Sequence, residues 1–129
     1  MLEPGYVSWT RLLAAAERTG GELVAPELLW SEATSVLHEI VWRRQLSEQR
    51  AAEAREFIAG APVRQRRPRG LRGRASEIAD RLGWAKTYDA EYCALAELLG
   101  CRLVTADRRL RAAADRLGYV VTLDEAASA

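Results

Sequence analysis

Four short apolar runs, each set off by glycine, proline or a polar turn, limit what this chain can fold into. They are residues 22–25 ahead of Pro26, 63–65 after Pro62, 101–105 after Gly100, and 119–122 after Gly118. Runs of this length have room for a strand and little else. Between them apolar residues recur at helical spacing. The spacing predicts helices over 9–19, from Pro26 to about 45, 48–59, 72–82, 88–99 and 108–117, several of them stopped by a glycine. Ser47 and Thr87 stand where N-caps belong, and Ser47 lacks the glutamate that would complete a capping box. Ala52, Phe57 and Ile58 are expected to point inward from 48–59. Short buried strands alternating with helices describe an α/β domain whose parallel sheet is covered on both faces. In such sheets functional groups gather at the carboxyl ends of the strands. That rule singles out Asp107, just after Val104 and Thr105, and Asp89 at the start of the preceding helix.

Composition narrows the class. A chain of 129 residues, 49% hydrophobic and 29% charged, is expected to form one domain with a core, which excludes disorder of the whole. No apolar run is long enough to span a membrane and no basic-then-apolar leader opens the chain, so a soluble, cytoplasmic protein is expected. Cys93 and Cys101 stand near apolar residues outside any metal-type spacing, and both are expected as buried thiols. With 19 Lys+Arg against 18 Asp+Glu, the balance argues against holding nucleic acid by bulk electrostatics alone. The exception is local: residues 63–75 hold six arginines and no acid. This stretch reads equally as an arginine-rich surface loop or as a phosphate-contacting patch. His38 is the only histidine, which excludes histidine-pair chemistry, and no glycine-rich phosphate loop occurs. Among the tryptophans, Trp30 and Trp42 are the candidates for a partner surface.

Three acids stand where an apolar or small residue would be the structural choice. Glu32 interrupts the apolar face formed by Leu28, Leu29, Val36, Ile40 and Val41. Asp89 lies in a first helical turn, where the helix dipole favours it without any function, and Asp107 has the position of a helix cap. Singly, each has an adequate structural explanation. Together at one end of a sheet, three carboxylates would repel one another unless a cation neutralised them, and oxygen-only ligation selects magnesium or manganese.

Three segments carry a resemblance: residues 74–83, the run Thr87-Tyr88-Asp89-Ala90-Glu91-Tyr92-Cys93-Ala94-Leu95-Ala96-Glu97, and Leu103-Val104-Thr105-Ala106-Asp107-Arg108-Arg109-Leu110. They resemble the C-terminal half of PIN-domain ribonucleases of the VapC toxin type, and residues 25–37 are similar to that family's segment with a helical glutamate. The resemblance covers nearly the whole chain. It implies a single PIN-like domain over 1–129, an α/β/α three-layer fold, and a magnesium-dependent endoribonuclease, with manganese as the alternative ion. It implies Glu32, Asp89 and Asp107 as catalytic metal ligands, RNA as substrate, a cognate antitoxin as partner, and pairing into a homodimer as is usual in the family.

Family members open with a central apolar strand ending in a first aspartate ligand. By that standard this chain is expected to start late, with residues 1–5 similar to the loop after that strand, and Glu3 is no substitute. Either the true start lies upstream, or this is a degenerate module that binds an antitoxin, or pairs with itself, through the Trp30 and Trp42 region. General nucleic-acid binding through the arginine segment is a third reading, one that needs no magnesium.

Overall fold

A computed structural model describes residues 21–128. The helix expected over 9–19, and Glu3, lie outside them. Among the described residues two parallel strand pairs form. In the first, β1 (Leu23–Ala25) pairs with β2 (Val63–Gln65), Leu23 opposite Val63. In the second, β3 (Leu103–Thr105) pairs with β4 (Val120–Thr122), Leu103 opposite Val120. The sheet was expected to lack its central first strand, and among the described residues the strands are bonded as two two-stranded sheets. Parallel neighbours need a crossover, and here each helical crossover returns the chain to its own partner strand.

The described residues belong to two compact units, Leu23–Arg66 and the stretch from Arg67 onward. In the first unit, β1 leads through Pro26 into α1 (Leu28–Trp42), then α2 (Glu48–Gly60), then β2. The α1 helix stops short of residue 45 because Arg44 takes a left-handed turn, φ 58°, while its amide donates to the Val41 carbonyl at 2.9 Å. No α1 residue is buried. Ser47 caps α2 as expected, its hydroxyl accepting the Arg50 amide at 3.1 Å. The inward face of α2 is corrected: Ala51 is buried, Ala54 and Ile58 are half-buried, and Ala52 and Phe57 are exposed. So many alanines blur the apolar stripe that would set the helix's phase.

The second unit holds α3 (Leu71–Leu82), α4 (Tyr88–Leu99), β3, α5 (Arg108–Ala113), a 3-10 turn at Asp115–Leu117, β4 and α6 (Leu123–Ser128). Its core is built by Leu71, Ala75, Ile78 and Ala79 of α3 and by Ala90, Cys93, Ala94, Leu95 and Ala96 of α4. Leu110, Ala114, Val120 and Ala126 add to it from the later elements. Both long helices end on a left-handed glycine. Gly83 lets the Trp84 amide reach back to the Ala79 carbonyl at 2.8 Å, and Gly100 does the same for Cys101 and Ala96 at 3.0 Å. The helix expected over 108–117 divides after Ala113 into α5 and the 3-10 turn, and α6 was not foreseen. Cys93 is buried as expected but Cys101 is exposed, a correction that follows from its place just past the α4 stop; both thiols are free. Among the described residues no helix is long and apolar enough to cross a membrane.

Candidate active site

Asp107 sits two residues beyond the end of β3, and local hydrogen bonds fix it. Its amide donates to the Thr105 hydroxyl at 3.0 Å. Its Oδ1 accepts the amides of Arg109 at 2.9 Å and Leu110 at 3.2 Å, so it caps α5. These bonds hold the carboxylate in one rotamer and leave Oδ2 outside the cap. Arg108 and Arg109, next along the chain, are exposed.

Asp89 is exposed in the first turn of α4. Thr87 occupies the N-cap position, but its side chain makes no cap bond; its carbonyl accepts the Glu91 amide at 2.9 Å. One turn along from Asp89, burial pushes the Cys93 thiol up to about 11, and the negative charges of Asp89 and Glu97 add to the effect. Four residues apart on α4, Asp89 and Cys93 share one face of the helix. The two aspartates therefore occupy elements of one unit that meet at β3, against which both α4 and α5 pack. Glu32 lies on α1 of the other unit, half-buried like Leu28 and Leu29. Among the described residues no three or more His, Cys, Asp and Glu side chains form a group that could hold a metal ion. The donor chemistry of the aspartates nonetheless suits a hard cation, since carboxylate oxygens are what such ions take.

A polar cluster further along α4 was not foreseen. Glu97, two turns after Asp89 on α4, accepts hydrogen bonds from Arg74 of α3 and from the Tyr119 hydroxyl at 2.6 Å. Burial raises the Glu97 carboxyl, but the hydrogen bonds from Tyr119 and Arg74 outweigh it, and the net displacement is below the usual range. Burial likewise raises the Tyr119 phenol, helped by its bond to Glu97. The signal available in the sequence was an acid among the small apolar residues of α4, the same kind of signal that picked out Glu32.

The family described as PIN domain matches residues 3–116. The chain belongs to the PIN-domain family. Within that family it is 40% identical over 100 residues to the VapC ribonuclease Mb0985 of Mycobacterium bovis (strain ATCC BAA-935 / AF2122/97), covering 78% of this chain and 73% of that protein. The same identity and coverage hold for ribonuclease VapC9 of Mycobacterium tuberculosis (strain ATCC 25618 / H37Rv). No solved structure matches the chain. Membership accords with the PIN-like α/β class expected from the sequence.

Proposed function

We propose that this PIN-domain chain is a metal-dependent endoribonuclease and the toxin of a toxin–antitoxin pair, with Asp89 and Asp107 as metal ligands and Glu32 as a third carboxylate. One observation carries the reading: the two motif aspartates stand at the end of β3 and in the first turn of α4 within a single unit. Identity of 40% to proteins named ribonucleases supports it. When bound, magnesium or manganese supplies Lewis acidity toward water and the phosphodiester and offsets charge in the transition state. The chain's own residues do the rest. Asp107 is held in one rotamer by the Arg109 and Leu110 amides, and Thr105 braces the backbone behind it. Glu32 serves as a further ligand or as the base that takes a proton from the attacking water.

The exposed Arg66, Arg69 and Arg72 hold the RNA backbone without reading bases. A cognate antitoxin covers the exposed apolar residues of α1 and α2, among them Val36, Trp42 and Phe57. That same exposure favours the second reading, a non-catalytic module that binds an antitoxin or a second copy. A fluorogenic RNA cleavage assay with magnesium separates the two. Asp89→Asn and Asp107→Asn are expected to lower kcat/KM by about two orders of magnitude or more, and chelation to abolish turnover. Full activity in either variant overturns the ligand assignment, and activity that survives chelation overturns the metal. A wild type that neither binds nor cuts RNA supports the module, and one that binds RNA without cutting it supports general nucleic-acid binding through the arginine segment.

A further inference from the structure

The α3 and α4 helices pack on each other more extensively than any other pair of helices in their unit. Most side chains buried along that packing are small: Ala75 and Ala79 on α3, and Ala90, Cys93, Ala94 and Ala96 on α4. Small residues let helices approach closely, but their ridges and grooves are shallow and resist sliding weakly. Directional bonds must then fix the register, and they converge on Glu97. Its Oε1 accepts from Arg74 Nε at 2.8 Å and from Arg74 Nη2. Its Oε2 accepts from the Tyr119 hydroxyl at 2.6 Å. The same hydroxyl lies 3.2 Å from the carbonyl oxygen of Cys93, one turn earlier on α4. Thus α4 is tied on one side to α3 and on the other to the residue that leads into β4. The Arg74 guanidinium also donates to Glu77 at 2.7 Å, which holds it in place on its own helix. Part-buried ion pairs contribute little net stability, because desolvation offsets their attraction. Geometry is the better account of why this one is here.

We infer that Glu97, gripped by Arg74 and Tyr119, is a positioning residue that locks the register of α4 on α3 and so aims Asp89. This rests on the nuclease reading above. Asp89 lies about 12 Å back along the helix axis at 1.5 Å per residue, and a stiff helix carries any slip at Glu97 through to it. Displacement of a reacting group by about 1 Å can cost about 100-fold in rate.

The test uses the whole 129-residue chain with Cys101→Ser, leaving Cys93 as its sole thiol. Tyr119→Phe removes one hydroxyl and keeps the ring, so the chain still folds; Glu97→Ala and Glu97→Gln complete the set. Two readouts are taken: the rate at which a thiol reagent modifies buried Cys93, and kcat and KM on RNA with magnesium. The expected result is that Tyr119→Phe and Glu97→Ala speed Cys93 modification and lower kcat about 10- to 100-fold with KM changed less than about twofold. Glu97→Gln, which keeps an acceptor for Arg74, restores part of kcat. Ile78→Val, which loosens the same core without touching the polar tie, lowers Tm and leaves kcat unchanged. Wild-type kcat in Tyr119→Phe and Glu97→Ala overturns the inference, as does a fall in kcat with Cys93 still protected, or an equal fall in Ile78→Val. A wild type that cleaves no RNA overturns the nuclease reading instead. The thiol rates then decide the register lock alone: faster modification upholds it and an unchanged rate overturns it.

Discussion

At Asp107 the Oδ1 atom accepts two backbone amides while the rest of the carboxylate stands outside the cap. The two roles separate by substitution. Asparagine caps a helix about as well as aspartate, while alanine costs about 1 kcal/mol. Asp107→Asn should therefore keep its unfolding free energy within a few tenths of a kcal/mol and lose cleavage, whereas Asp107→Ala should lose both, as urea melts and RNA turnover measured side by side will show. The Cys93 thiol gives a second prediction. Its value rises from 9.0 to about 11 in the fold, so the folded state keeps a proton that the unfolded chain releases. That contribution is intact below the unfolded value and is lost as pH rises through the folded one. Denaturation at about pH 8 and about pH 10.5 should show an alkaline loss of order 2 kcal/mol that Cys93→Ala shrinks. At this scale Asp107 was legible because a strand end and a cap position coincide in the sequence. Cys101 was misjudged because apolar neighbours in sequence are not neighbours in space. The grip on Glu97 was illegible, since its partners lie 23 and 22 positions away along the chain.

Elements were readable where large apolar residues recur with a clear period. Leu71, Ala75, Ile78 and Leu82 gave α3 away, and Gly83 and Gly100 marked the stops. The α2 face was lost among alanines. The last helix, α6, was missed although its start is written out: Thr122 Oγ1 accepts the Glu125 amide at 3.1 Å and Glu125 Oε1 accepts the Thr122 amide at 2.9 Å. That reciprocal pair is a capping box. Arg111 of α5 donates to the same Glu125 oxygen at 3.2 Å, which ties the two short helices together. Thr122→Ala should cost about 1 kcal/mol in thermal or chemical melts. Because β4 ends at Thr122, amides of α6 should exchange faster in the variant while those of α4 keep their protection.

For the molecule as a whole, the α/β class and the parallel pairing followed from strands alternating with helices. Among the described residues the strands pair two by two, and three-residue runs do not by themselves encode which strand pairs with which, because strand order is a long-range property. Net charge near zero hides the basic stretch, whose Arg66, Arg69 and Arg72 are exposed. In an Asp89→Asn background, replacing these three with glutamine should weaken RNA binding equally across sequences. The plot of log K against log salt should flatten by about 0.7 for each phosphate that is no longer neutralised. An unchanged slope would assign the arginines to ordinary surface. Trp42, 79% exposed at the end of α1, has an optical consequence. Its indole emits from water and is open to collisional quenchers, while Trp30 and Trp84 are half-buried and supply a steadier background. The protein thus carries its own dye: whatever closes over that corner turns the emission blue and shields it from iodide, with no label attached.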